Sequence, residues 1–305
     1  MKKNKIVVIG SINMDLVMRV PYIPNIGETI MGKSVERIPG GKGANQAFTA
    51  AKLGANVSML GKIGGDEFGA RLIESMQNAG VDTSCIDLEA DASSGLAIIQ
   101  VNDEGDNSIV VLSGANELCN KSYIIAHENV IGEAGIVIVQ MEVPNEAVYQ
   151  AIELASKSDA IMILNPAPAP DYIPDHVLEK IDYLVPNETE LQKLTGMPVH
   201  SIETAGTASR TLLSKGLKNM IVTLGSKGSL LVNSDGIVHF PAPNVQAIDT
   251  TAAGDSFVAA FAVGLSEGKS DKDAIAFATK VAAIVVTRAG AQTSIPDRRE
   301  VDAAT

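Results

Sequence analysis

Apolar residues along this 305-residue chain fall into short continuous runs separated by stretches with helical spacing, the pattern of alternating strands and helices. Lys5-Ile6-Val7-Val8-Ile9-Gly10 predicts a buried strand closed by glycine, and Asp15 to Val20 a second, more alternating strand bounded by Pro21 and Pro24. A turn-rich stretch runs from Asn25 to Gly40. Ala44 to Leu53 then predicts an alanine-rich helix, Val57 to Ile63 a strand, and Asp66 to Gly80 an amphipathic helix with Phe68, Leu72, Ile73 and Met76 on one side. Gly95 to Leu112 breaks the alternation. Two strand-like runs, Gly95 to Val101 and Asn107 to Leu112, flank Asp103-Glu104-Gly105-Asp106, a hairpin signature. With residues 12–38 they predict a small, separate β-layer.

From Ile136 onward the alternation is regular. Strands are predicted at Ile136 to Gln140, Ala160 to Leu164, Tyr183 to Val185 and Met220 to Leu224, and helices at Asn145 to Lys157, Glu188 to Leu194 and Thr204 to Lys215. Gly228 to Val232 and Gly236 to Phe240 predict an edge hairpin. Helices over Ala253 to Glu267 and Asp271 to Arg288 close the chain. Repeated strand–helix units give an α/β fold, an open and mostly parallel sheet with helices on both faces. In such folds ligands bind outside the carboxyl ends of the strands.

Composition sharpens this picture. The chain is 46% hydrophobic, which supplies a sizeable core, and it has no Trp. Its net charge is -12 and no Lys/Arg cluster forms a nucleic-acid footprint, so DNA and RNA are excluded as partners. An anionic ligand must therefore be held locally, by backbone dipoles, a metal ion or a few placed cations. Cys85 and Cys119 have no metal-ligand spacing and are expected as two reduced, buried thiols. The basic start, Met1 to Lys5, precedes an apolar run too short for a signal peptide, and no run has the length of a membrane span, so a cytoplasmic protein is expected.

Candidate chemistry sits after the predicted strands. In Asp249-Thr250-Thr251-Ala252-Ala253-Gly254-Asp255-Ser256-Phe257, three small residues precede a carboxylate at a helix start. Asp255 there is accounted for by the helix dipole alone. The small residues add a place where a phosphate could lie against exposed backbone N–H groups. The segment Gly40-Gly41-Lys42-Gly43-Ala44-Asn45-Gln46-Ala47 is glycine-rich but lacks the hydroxyl residue that must follow a P-loop lysine. It suits a loop-to-helix turn or a polyhydroxy ligand. Asn13 and Asp15 share a strand face and can pair adjacent sugar hydroxyls, or serve a turn. Asn187 and Glu190 open a helix as a cap with a box-like partner, or contact phosphate and a magnesium-bound water. Thr223-Leu224-Gly225-Ser226-Lys227-Gly228 joins two predicted strands, as a plain loop or a phosphate-binding concavity. Glu142 follows the strand ending at Gln140 and lies where a substrate contact could lie. His127, His176, His200 and His239 are scattered without ligand spacing.

Together the two glycine segments resemble the two signatures of the PfkB carbohydrate kinase family. Supporting stretches, in the same order, are Gly10 to Asp15, Leu164 to Ala169, Pro186 to Glu190 and Val286 to Gln292. Within the family the resemblance is to the branch acting on D-ribose. It implies ATP-dependent phosphorylation at the 5-hydroxyl, with Asp255 as general base and Ala252, Ala253 and Gly254 as an anion hole. It implies sugar contacts from Asn13, Asp15, Gly41, Lys42, Gly43, Asn45, Glu142 and Asp255. Nucleotide contacts are implied at Asn187, Thr223, Leu224, Gly225, Ser226, Lys227, Gly228, Gly254 and Thr279. Mg2+ would accompany ATP, with Glu190 acting through water or phosphate. A monovalent activator, K+, would sit at Asp249, Thr251, Val285, Arg288, Gly290 and Ser294, several through their carbonyls. The resemblance also implies a β-lid of residues 12–40 and 95–113 that clasps a homodimer, over a core of residues 1–11, 41–94 and 114–305. Two positions depart from the pattern: Ala252, where many members carry Gly, and Thr279, where some carry His or Asn. Kinases of deoxyribose, another sugar or a nucleoside, and a catalytically silent sugar or nucleotide sensor, are the competing expectations. A Rossmann dehydrogenase is disfavoured, because no G-x-G-x-x-G follows the first strand.

Overall fold

A computed structural model describes residues 4–304; residues 1–3 and 305, and the expectations that fall on them, lie outside it. The strands are, in chain order, β1 Lys5–Ile9, β2 Asn13–Arg19, β3 Ser34–Gly40, β4 Asn56–Gly64, β5 Asp82–Glu89, β6 Gly95–Val101 and β7 Asn107–Leu112. They continue as β8 Ile136–Gln140, β9 Ile161–Asn165, β10 Tyr183–Leu184, β11 Asn219–Thr223, β12 Ser229–Asn233 and β13 Gly236–Phe240. Nine of them form one sheet in the order β13-β12-β11-β10-β9-β8-β1-β4-β5. It is parallel except for the hairpin β12–β13 at one edge. The remaining four form the predicted small β-layer, ordered β3-β2-β6-β7.

The continuous apolar runs are explained by burial on both faces. In β1, Val7 and Ile9 enter the core on one side of the sheet, while Ile6 and Val8 enter the core on the other. All four are fully buried, each contributing about 1.5–3 kcal/mol of transfer free energy. One core is closed by helices that include Asn145–Ala155 and Ile202–Leu213, the other by Lys42–Lys52, Glu67–Asn78, Ala253–Ser266 and Asp271–Val285. Helix Ala253–Ser266 is buried from Asp255 to Gly264, and its Phe261 meets Tyr183 edge-on at 4.9 Å. A carboxylate near its start is therefore carried into the interior.

Chain order reverses between β1 and β8: β4 and β5 lie on one side of β1, and β8 to β11 on the other. A crevice forms at such a switch point, outside the carboxyl ends of the strands. Here Ser11 beyond β1 donates its hydroxyl to Glu142 beyond β8.

Some elements escaped the sequence reading. β5 is an edge strand carrying Asp82, Asp87 and Glu89, so its polar residues mask its period, and such charges guard an unpaired edge. β3 lies in the stretch assigned to turns and contains Pro39, which an edge strand accommodates because one of its sides needs no donor. Short helices at Lys121–Ala126, Glu128–Gly132, Asp175–Leu178 and Arg298–Ala303 lack the length that makes a period visible. Cys119 is buried as expected, but Cys85 is only half-buried, because it belongs to the edge strand β5; both are free thiols. Burial pushes the Cys119 thiol up to about 12.

Candidate active site

A pocket of 220 Å³ opens at the carboxyl ends of β9, β10 and β11. Its lining includes Asn165, Asn187 and Thr223 from the ends of those strands, with Lys42, Glu190 and Asp255. The start of helix Ala253–Ser266 supplies Ala252, Gly254 and Asp255. No side chain caps this helix. Ala252 holds the left-handed conformation, φ 59°, and is the one non-glycine residue with positive φ among the described residues. The Ala253 N–H is taken by the Thr250 carbonyl at 3.2 Å, and the turn leaves the next N–H groups, of Gly254 and Asp255, without a competing side chain, the arrangement that accepts an anion.

Asp255 is 8% exposed and both its carboxylate oxygens accept hydrogen bonds from helix Lys42–Lys52. Asn45 Nδ2 donates to Oδ2 at 3.1 Å and Gln46 Nε2 to Oδ1 at 3.1 Å. The Asp255 carboxylate raises the Lys42 ammonium above its ordinary value against the cost of burial, with Glu142, Glu190 and Asp15 adding to it. Lys42 thus remains a cation at the junction between the pocket and a second set of groups beyond it.

That second set is Asp15, Glu142 and Asn13. Burial first, then the neighbouring carboxylates of Glu142 and Asp255, push the Asp15 carboxyl up to about 7, while Lys42 pulls the other way. Glu142 also accepts the Lys42 N–H at 3.2 Å. Asn13 Oδ1 accepts from Asn116 Nδ2 at 2.7 Å, which commits its carbonyl and leaves its own NH2 to donate. Close backbone approach places these groups. Gly41 takes φ 88°, and a Cβ there would lie 2.7 Å from the Asn13 nitrogen. Gly43 packs on Gly10, where a Cβ would lie 2.7 Å from the Gly10 carbonyl carbon. Gly43 is thereby a packing residue that seats the helix on β1.

The motif Asn187 to Glu190 performs the structural role weighed for it. Asn187 Oδ1 accepts from the Glu190 N–H at 2.8 Å and Glu190 Oε2 accepts from the Asn187 N–H at 2.9 Å, a complete capping box. Both residues also line the pocket, so capping and ligand contact are compatible. Desolvation raises the Glu190 carboxyl, opposed by the Asn187 hydrogen bond and Lys42. Thr223 bridges to Asn187, and beyond it Gly225–Lys227 forms a single 3-10 turn whose Lys227 pairs with Glu188 at 2.9 Å. Leu224 is buried, whereas Gly225, Ser226 and Lys227 are exposed and Gly228 half-buried. Thr279 lies on helix Asp271–Val285, its hydroxyl donating to the Ile275 carbonyl at 2.9 Å, and does not line the pocket.

Of the residues named for a monovalent cation, Thr251 and Gly290 bond directly to Asp249. Its Oδ1 accepts from the Thr251 N–H at 2.9 Å and hydroxyl at 2.6 Å, and its Oδ2 from the Gly290 N–H at 2.9 Å. Burial opposes ionisation of Asp249, but these hydrogen bonds outweigh it and hold the carboxyl below its ordinary range. Val285 is buried and its carbonyl accepts the Arg288 N–H at 3.1 Å. The Arg288 guanidinium turns to Glu300, at 3.3 Å, and Ser294 donates to the Ala291 carbonyl at 2.7 Å. The donor set is carboxylate, hydroxyl and carbonyl oxygen, which suits a hard cation. Among the described residues no group of three or more His, Cys, Asp or Glu forms a metal site.

Sequence reasoning overlooked four groups. Gln46 stands inside the glycine-rich segment and Asn165 ends a predicted strand, so both carried a positional signal. Gln140, a polar end to the apolar β8, carried a weaker one. Asn116 carried none, since it follows the hairpin in a stretch without period.

Residues 3–298 match the pfkB family carbohydrate kinase model. The chain belongs to the PfkB carbohydrate kinase family. The kinase is 40% identical over 298 residues to a ribokinase of Haemophilus influenzae, covering 98% of this chain and 97% of that protein. It is also 40% identical over 291 residues to a deoxyribokinase of Salmonella typhi, covering 95% of each. Among solved structures it resembles an Arabidopsis thaliana ribokinase complexed with ribose and ATP, with TM-score 0.92, 36% identity, and coverage of 99% of this chain and 98% of that one. The kinase is thus a phosphotransferase with an alcohol group as acceptor, working with ATP and a divalent metal.

Proposed function

We propose that this kinase transfers the γ-phosphoryl group of ATP to the 5-hydroxyl of D-ribose, giving D-ribose 5-phosphate and ADP. The observation carrying this reading is the position of Asp255. It lies at an uncapped helix start, on the pocket, with the Asp15, Glu142 and Lys42 group beside it. The sugar occupies the Asn13, Asp15, Glu142 and Asn45 side, bonded to carboxylates and amides. The nucleotide occupies the Asn187, Thr223 to Gly228 side. Asp255 accepts the proton of the attacking hydroxyl, and Lys42 with the Ala252 to Asp255 backbone stabilises charge on the transferring group. Magnesium bound to ATP would supply further charge neutralisation, with Glu190 holding one of its waters. The oxygen donors around Asp249 suit K+, which would order the anion-hole loop.

The test is ADP release with ribose, deoxyribose, fructose and adenosine, each in potassium and in sodium. Ribose is expected to give the highest kcat/KM, with faster turnover in potassium. Activity with adenosine alone sinks the sugar assignment, and no ADP with any acceptor leaves a silent sensor. Deoxyribose is the second reading, favoured by the equal identity to the Salmonella protein.

The small sheet serves in this reading as a lid that excludes water and clasps a homodimer. Its β7 leaves Ile109, Val110, Val111 and Leu112 about half exposed in a row, with Val35 on the opposite edge strand, an apolar surface that asks for a cover. Sedimentation equilibrium should give twice the 31.8 kDa chain mass, and a monomer at micromolar concentration contradicts the clasp.

A further inference from the structure

Asp255 is held by a buried chain of amides that runs back through the sheet. Gln46 and Gln140 are fully buried, and Asn165 is 8% exposed. Gln140 Nε2 donates to Gln46 Oε1 at 2.7 Å. Gln46 Nε2 donates onward to Asn165 Oδ1 and Asp255 Oδ1, both at 3.1 Å. Asn165 in turn donates to the Val185 carbonyl at 2.9 Å, which fixes its oxygen toward Gln46.

Each link constrains the next. A glutamine amide can present either its oxygen or its NH2 to a neighbour. Asn165 Oδ1 and the Asp255 carboxylate both accept, so Gln46 must turn its NH2 to them, and its oxygen is then left for the Gln140 NH2. The reverse orientation would face a carbonyl oxygen to a buried carboxylate and two NH2 groups to each other. The fold also concedes space for this arrangement. A Cβ on Gly10 would lie 1.9 Å from Gln140 Oε1, so the end of β1 carries no side chain where that amide lies. Gln140 Oε1 itself has no hydrogen-bond partner. A buried amide retained with half its capacity unused costs stability, and an apolar residue would have filled the place more cheaply.

We infer that Gln46 and Gln140 are positioning residues for the general base: Gln140 anchors the oxygen end of Gln46, and Gln46 donates to Asp255 and fixes its carboxylate for proton acceptance. The inference rests on Asp255 being the base. A donor to the ionised form favours that form, so its loss should raise the pH at which the base becomes active. Other charges around Asp255 are Lys42 from the same helix as Gln46, Asp15 from β2 and Glu190 from helix Glu188–Thr195, with Glu142 beyond Lys42. All are unchanged in the variants below, so a moved profile reports the amide.

The experiment compares Gln46→Met and Gln140→Met with the wild-type kinase across pH. Gln46→Met is expected to lower kcat about tenfold, to leave KM for ATP within twofold, and to move the acid limb of kcat at saturating sugar, where Asp15 is held by the bound sugar, up by about one pH unit, the loss of one hydrogen bond to a charged group. Gln140→Met, which touches neither Asp255 nor substrate, is expected to move the same limb in the same direction by less. Native limbs in both variants, with nucleotide binding intact by calorimetry, overturn the inference. A fall in melting temperature with kcat per folded molecule and the limb unchanged also overturns it, because that is a purely structural role. Asp255→Asn separates the two readings. If it retains turnover, the base assignment fails; if it is inactive while Gln46→Met keeps the native limb, only the amide chain fails.

Discussion

Asp255→Asn lowers kcat about 10³–10⁴-fold while sugar and nucleotide affinities stay within a few-fold, as measured by steady-state kinetics and titration calorimetry. The substitution keeps the shape of the side chain but removes its capacity to take a proton. Asparagine also presents one NH2 toward donors that are already in place, Asn45 Nδ2 and Gln46 Nε2, so one of those hydrogen bonds is lost. The loss falls on kcat because the proton moves only as the sugar oxygen attacks. Near-wild-type turnover would remove Asp255 from the role of base. A parallel collapse of sugar affinity would instead make it mainly a binding residue.

Sugar affinity is expected to fall about tenfold for each pH unit below about pH 7 and to be flat above it, because in the proposed binding mode the sugar hydroxyls hydrogen-bond to ionised Asp15. Asp15→Asn removes this dependence and binds about 100-fold more weakly at pH 8, through loss of charged hydrogen bonds. The sign follows from burial and from Glu142 and Asp255, which disfavour a further negative charge beside them. The same displacement acts on stability. The folded carboxyl titrates at about 7 and the unfolded one near 3.8, so the folded state binds more protons between those values. Stability of the ligand-free kinase therefore declines as pH rises through that window, and bound sugar offsets the decline. Calorimetry from pH 5 to 8 checks the first effect, and wild-type affinity independent of pH would show that Asp15 is ionised throughout.

Much of this was legible because parallel strands buried on both faces leave continuous apolar runs. Ile136 to Gln140 and the hairpin strands Gly95 to Val101 and Asn107 to Leu112 coincide with the observed strands. The edge strand β5 was not legible, because an edge is protected by the charges that hide its period. Chemistry near glycine was legible as well. Gly41, Gly43 and the Ala252 to Gly254 turn stand where backbone must pass close to backbone or present bare N–H groups, and few residues serve there.

The sequence by itself therefore determined the family, the alternation of elements and the short segments that bear charge at strand ends. Those properties are local, or repeat at fixed spacing. Only the tertiary structure decided which charges meet. Asp15 and Asp255 are 240 positions apart, yet the Asp255 carboxylate helps to raise the Asp15 carboxyl, because β2 and helix Ala253–Ser266 converge beside the β1–β8 switch point. The orientation of Gln46 is decided by Asn165 and Asp255 from two other elements. Desolvation and hydrogen-bond direction depend on what surrounds a group in three dimensions, and no spacing along the chain encodes that.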